Sequence, residues 1–228
     1  MDNTQVPNRR SSQKGKRKIL LEAVVALLAF YTLSLLSRLS ASVYLLVIGS
    51  GLFFPLIWAK RTGDWEVIGF TRRNTGKALL WGMVTGLLCF SYTVLLTRDA
   101  QAPPPMLGLQ LAIGIPLAFL VTSPFQEFFF RGWLQPRFEI IIGKWPGLIA
   151  TALCFAIWHY LPPFELSPSG TAIKLATVYG FLSLLGLGLV WGYIFQRTKN
   201  IIAPWLAHTL AIAGLIVTGA MTLVQYNP

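Results

Sequence analysis

The chain has 228 residues, 54% hydrophobic and only 12% charged, with mean hydropathy +0.61. A soluble domain carries about a quarter charged residues, so these totals exclude an ordinary soluble globule and point to a membrane bundle. The net charge of +11 does not signal nucleic-acid binding, because no aromatic–basic platform accompanies the basic residues.

Residues 1–18 form a polar basic tail with Arg9, Arg10, Lys14, Lys16, Arg17 and Lys18. Such a tail binds anionic headgroups and sets orientation. The apolar run 19–37 is longer than the h-region of a signal peptide, about 7–15 residues, and no clear cleavage site follows. It reads as a retained first helix, with Glu22 at the interface. Further apolar segments follow at 41–59, 78–97, 107–123 running into 125–142, 146–161, 173–195 and 201–224. Each approaches the roughly 17–25 residues that span hydrocarbon, the fifth being the shortest. Backbone groups facing lipid must be satisfied within their own segment, so these are helices. The expected fold is an all-α integral membrane protein, a polytopic bundle of about seven transmembrane helices. The expected division is the tail 1–18, N-terminal membrane helices over 19–100 and a core of membrane helices over 105–224.

Between the segments, 62–77 is a link with turn-forming Gly and Asn, and 101–105 and 162–170 are loops on the other face. With the N-terminus inside, 16 of the 19 Lys and Arg residues fall on the inner side, leaving Arg38, Arg98 and Lys174 outside. The positive-inside rule then makes the N-terminus cytoplasmic and the C-terminus external. The expected location is a bacterial-type plasma membrane. Cys89 and Cys154 lie in apolar runs without CxxC spacing and read as free thiols. The frequent glycines of 173–195 suit close helix packing.

Polar residues inside these apolar runs carry the functional signal. Glu127 and Arg131 are four apart and share a helix face, so they can pair. The chain has two histidines, His159 closing the fifth segment and His208 within the seventh. Glu127, His159 and His208 could together hold a divalent metal such as zinc. Carboxylate and imidazole could equally activate water without metal. A structural ion pair and packing histidines remain the alternative. Glu127 lies 17 residues before Lys144 and His159 lies 15 after it, which puts both at similar depth on antiparallel helices, about 22–26 Å from the turn. His208 fits less well: eight residues past Asn200, it lies only about 12 Å along its helix. Either the 196–203 turn sits deep or the helices tilt. Pro124 and Pro204 can break helices near both places.

The stretches Gln126-Glu127-Phe-Phe-Phe-Arg131, Phe155-Ala-Ile-Trp-His159 and His208-Thr-Leu-Ala-Ile212 resemble the motifs E-E-x-x-x-R, F-x-x-x-H and H-x-x-x-N. These are motifs of the CAAX-protease and bacteriocin-processing family of intramembrane proteases, also called the type II CAAX endopeptidase or Abi family. The resemblance covers roughly residues 105–215. It implies an endopeptidase acting on membrane-associated or lipidated peptides, viewed in the family both as a metalloenzyme and as a glutamate-type enzyme. It implies site roles for Gln126, Glu127, Arg131, His159 and His208, with Glu127 in a supporting role. Two positions depart from the pattern. Gln126 stands where the family has the glutamate implied to activate water, and a neutral amide is no general base. Ile212 stands where the family has an asparagine implied to support an oxyanion, and its side chain has no donor.

Three classes of function are therefore open. The first is an endopeptidase with an altered site. The second is a non-catalytic scaffold, chaperone or immunity-type protein binding a peptide or helix in the same place. The third is a transporter, against which no paired broken helices in matching halves are present. The expected partners are the lipid bilayer and a membrane-associated peptide or protein helix. The sequence does not specify the oligomeric state.

Overall fold

The computed structural model describes residues 9–97, 105–162 and 178–223. Most of the two expected outer loops, and Lys174, lie outside the described residues. Seven helical rods make up the described chain, with no strand among them: α1 Arg9–Leu36, α2 Ala41–Thr62, α3 Thr75–Thr97, α4 Leu107–Ile142, α5 Lys144–Trp158, α6 Val178–Thr198 and α7 Ile202–Val217. Five of the rods are long and apolar enough to cross a membrane, α1 through its Gly15–Leu36 part, while α5 and α7 are shorter apolar helices. The protein is an all-α polytopic membrane protein. The fifth and seventh segments end earlier than the hydropathy suggested, at Trp158 and Val217, where the backbone turns.

Local chemistry sets several boundaries. The Ser40 hydroxyl accepts from the Ser42 N–H and caps α2. Gly63, at φ +78°, ends α2 in a left-handed residue whose N–H returns to the Ala59 carbonyl. Long apolar side chains such as Leu80, Val84, Leu88 and Leu95 face outward from α3, while Ala78, Gly82, Thr85, Gly86 and Cys89 face inward. That inversion of the soluble pattern is what a lipid-facing helix requires. The small inward residues let α3 lie against α7: a Cβ on Gly82 would stand 3.0 Å from the Ala203 carbonyl oxygen. The Thr93 hydroxyl ties the same pair by donating to the Ala211 carbonyl at 3.1 Å.

The rod α4 is continuous but not uniform. It contains two π turns, Ala118–Thr122 and Phe128–Leu134. Each ends two residues before a proline, Pro124 and Pro136. A proline ring collides with the carbonyl one turn back and donates no hydrogen bond, and a widened turn relieves both faults. Neither Pro124 nor Pro204 breaks its helix as expected. Pro124 is absorbed by the π turn, and Pro204 sits in the first turn of α7, where a missing N–H leaves no bond unmade.

The helix ends sort into two faces. Arg38, after α1, donates to the Tyr160 and Leu161 carbonyls after α5, so those ends share one face. On the other face, Gln196 donates to the Lys144 carbonyl, and Asn200 donates to the Thr71 and Arg73 carbonyls at 2.9 Å each. The described basic residues of the link, the α4–α5 turn and the α6–α7 turn thus gather at one end. Cys89 and Cys154 are free thiols, the first buried and the second half-buried.

Candidate functional site

Gln126, Glu127 and Arg131 lie in the middle of α4, at the junction of its second π turn, and all three are at most 2% exposed. Glu127 forms the hub. Its Oε1 lies 3.3 Å from an Arg131 terminal nitrogen, as the i, i+4 spacing predicted. The same oxygen lies 2.8 Å from His208 Nδ1, which reaches it from α7.

The turn that starts α7 is anchored by its neighbours although Lys199 within it is exposed. Thr198 and Asn200 are fully buried, and the Ile201 N–H donates to the Gly69 carbonyl of the link at 2.9 Å. The link between α2 and α3 folds over the turn. From this covered turn, eight residues of helix carry His208 to Glu127.

Arg131 is held on three sides. Its other terminal nitrogen donates to the Gly188 carbonyl on α6 at 3.3 Å. Its guanidinium carbon lies 4.1 Å from the centre of the Phe155 ring and 5.5 Å from that of Trp191. Gly188 permits this approach, since a Cβ there would stand 3.3 Å from Ala152 and Phe155 on α5. The glycines expected to pack helices closely thus also expose a backbone acceptor to a buried cation. A guanidinium this deep needs its carboxylate, carbonyl and aromatic faces together, because desolvation of an unpaired charge costs several kcal/mol.

The histidines sit in an aromatic frame. His208 stacks on Trp191, with ring centres 4.1 Å apart and planes within 19°. His159 caps the end of α5, and its Nδ1 lies 2.9 Å from the Phe155 carbonyl. Its ring packs edge-on against Phe155 at 4.4 Å and Trp158 at 4.9 Å. The Phe155 ring is thus shared by Arg131, His159 and His208. A carbonyl only accepts, so His159 Nδ1 carries its hydrogen. A carboxylate likewise takes the Nδ1 hydrogen of His208. In the neutral rings both Nε2 atoms then hold the lone pair.

Gln126 Oε1, Glu127 Oε2 and Arg131 Nε are buried without hydrogen-bond partners among the described residues. Each such atom costs about 1–3 kcal/mol unless water or a ligand group satisfies it. Three of them within six residues of one helix mark a centre built to meet polar chemistry. Ile212, one turn beyond His208, does not face such chemistry. It packs with Ala118 and Ile216 in a separate apolar cluster.

Glu127, His159 and His208 do not assemble as a metal centre. Among the described residues no three of His, Cys, Asp and Glu come together in a way that could hold a metal ion. One oxygen of Glu127 is already taken by His208 and Arg131. The donor set as arranged does not fit zinc.

Phe155 stood in the sequence only as the first residue of its motif, and Trp191 and the Gly188 carbonyl escaped notice as site elements. Gly188 and Trp191 are three apart on one helix face, a spacing that could have singled them out.

A membrane-embedded helical bundle enclosing a buried carboxylate, two imidazoles and a guanidinium defines a polytopic membrane protein with an intramembrane polar centre. Residues 108–213, from the start of α4 to α7, match the family model described as type II CAAX prenyl endopeptidase Rce1-like. The family resemblance carried by the three motifs is thereby shown over this core. No curated protein and no solved structure matches the chain.

Proposed function

We propose that the protein is an intramembrane endopeptidase-like protein of this family that receives a membrane-associated or lipidated peptide at the Glu127 centre and hydrolyses it slowly. The observation that carries this reading is the 2.8 Å contact between Glu127 and His208, buried beside Gln126. With Gln126 unable to take a proton, His208 is the base. Its Nε2 removes a proton from water as the oxygen attacks the peptide carbonyl carbon. Glu127 holds the ring by Nδ1 and stabilises the imidazolium that forms. The C–N bond then breaks, and the imidazolium returns its proton to the leaving amine. Gln126 orients water or donates from its amide. His159, its Nδ1 tied to a backbone carbonyl, lines the same centre. Arg131 holds Glu127 in place.

Hydrolysis is slow because Ile212 offers no donor to the oxyanion, a lack that typically costs about 10²–10³ in rate. No step runs through a metal. The bilayer supplies the setting, with the N-terminus cytoplasmic and the C-terminus external. The basic tail 1–18, the membrane helices within 19–100 and the core 105–224 act as one unit. Purified protein in liposomes, incubated with a library of membrane peptides and followed by mass spectrometry of products, tests the reading. Slow cleavage lost on His208→Ala supports it, and fast cleavage indifferent to His208 overturns it.

A second reading is a non-catalytic scaffold, chaperone or immunity-type protein that binds a helix or peptide at this centre. The packing of Ile212 into an apolar cluster favours it. Specific capture of a partner helix with no products from any variant would decide for it.

A further inference from the structure

Away from the polar centre, the link between α2 and α3 forms a second built feature. A cleft of about 330 Å³ lies between the link and the α6–α7 turn, lined by Glu66, Val67, Thr71, Arg73, Asn74 and Lys199. Its two walls are latched together by backbone acceptors. Asn200 donates to the Thr71 and Arg73 carbonyls, and Asn74 donates to the Thr198 carbonyl at 3.1 Å. Arg73 and Lys199 therefore stand on opposite sides of one rigid opening.

The backbone is also unusual here. Three non-glycine residues among those described have positive φ, and two of them, Asn74 at +59° and Lys199 at +51°, line this cleft. The left-handed region is mild for Asn but unfavourable for Lys. Strain of this kind is retained where a surrounding structure enforces it, commonly at binding sites. Directly after Asn74, α3 begins with no acidic residue in its first turn, so its N-terminal N–H groups favour an anion.

The surroundings specify what kind of anion. Trp65, Val67 and Phe70 are between 36% and 50% exposed on the same short link. Lys60, Arg61, Arg72 and Lys77 flank it. Exposed aromatic and apolar side chains among cations at a helix end are the composition of a membrane–water boundary. Glu66 lies 3.9 Å from Arg73, and Glu139 lies 3.7 Å from Lys199. Arg73 and Glu66 are both well exposed, so that contact is screened and readily exchanged, and the Lys199 side chain is itself exposed beside the half-buried Glu139.

We propose that this cleft binds the phosphate headgroup of an anionic membrane lipid, with Arg73 and Lys199 as its cations and Trp65, Val67 and Phe70 against the acyl boundary. The site is separate from the polar centre and does not depend on hydrolysis. It lies against the turn that sets the depth of His208, so an occupied cleft would brace the latch from which α7 starts.

Native mass spectrometry of the full-length protein tests this. The protein is released from detergent micelles doped with phosphatidylglycerol or with phosphatidylcholine of the same acyl chains. The expected result is preferential retention of phosphatidylglycerol by about tenfold or more, given two cations near a lipid phosphate. R73Q/K199Q should abolish most of that preference. K16Q/K18Q, with the same loss of charge in the basic tail, should keep it. Val67→Glu, which adds a carboxylate to the cleft without touching the latch, should also abolish it. Melting without lipid checks that R73Q/K199Q is folded; if it is not, Val67→Glu decides alone. Equal losses in the tail and cleft variants, or a preference that survives Val67→Glu, would overturn the proposal. So would displacement of the lipid by equimolar glycerol phosphate, which would make a soluble phosphate ester the ligand.

Discussion

His208 Nδ1 and Glu127 Oε1 lie 2.8 Å apart although 81 residues separate them in the chain. Neither reaches the other through its own helix. Glu127 is carried by the middle of α4, and His208 by a short helix whose start is buried under the α2–α3 link. The same carboxylate oxygen also receives Arg131, so one buried atom joins the acid, the base and the cation.

Placing a carboxylate at 126 should accelerate peptide cleavage, because the Gln126 amide cannot accept a proton. Gln126→Glu is expected to raise the rate by about a hundredfold, the low end of the usual 10²–10⁴ range of a positioned acid or base. Mass spectrometry of products from a liposome assay measures it. A second carboxylate beside Glu127 also adds like charge, so a lower melting temperature should accompany the gain.

Adding Ile212→Asn to that variant is expected to give a smaller gain. The new amide must leave an apolar cluster formed with Ala118 and Ile216. Burying it unpaired there costs roughly 1–3 kcal/mol on the scale of protein mutational data. Thermal unfolding of Ile212→Asn alone should fall accordingly, and an unchanged melting point would mean that the side chain has found partners.

Removing Glu127 should damage stability as well as chemistry. Glu127→Ala leaves Arg131 buried without its carboxylate, for which about 3–5 kcal/mol is expected. Replacing the pair together, as Glu127→Leu with Arg131→Met, should recover much of that loss while leaving the protein inactive. Unfolding midpoints of Glu127→Leu, Arg131→Met and the double variant form the cycle, and additive losses would mean that the two side chains do not interact.

The α3–α7 contact should not tolerate bulk. At Gly82 a Cβ would already stand 3.0 Å from a backbone oxygen of α7. Gly82→Leu is therefore expected to push the helices apart, displace His208 from Glu127 and lower the melting temperature by several degrees, as losses of about 1–3 kcal/mol do in domains of this size. Leu80→Ala, on the lipid-facing side of the same helix, should change the melting point little.

Orientation is open to direct measurement. Single cysteines placed in the basic tail and near the C-terminus, in a background without Cys89 and Cys154, should be labelled from opposite sides of the membrane. Labelling of both ends from one side would reject the odd number of crossings.

The class of the protein was legible in its residues. Long apolar runs in water-free surroundings leave the backbone no partner except itself, so helices, their approximate ends and their clustered basic termini follow from composition and spacing. The i, i+4 pair Glu127–Arg131 was equally legible, because a helix brings those positions together whatever surrounds it. Several features were decided only by the tertiary structure. Hydropathy cannot show that the α2–α3 link folds over Ile201, so it could not set the depth of His208. The ability of Pro124 to break a helix was legible, but not that a π turn within the packed α4 rod absorbs it. The Gly188 carbonyl and the Trp191 ring became part of the site through the approach of α6 to α4 and α5. Local sequence dictates what each helix is, since its hydrogen bonds are internal. Which faces meet, and at what depth, depends on packing between residues far apart in the chain, and that packing placed His208 against Glu127.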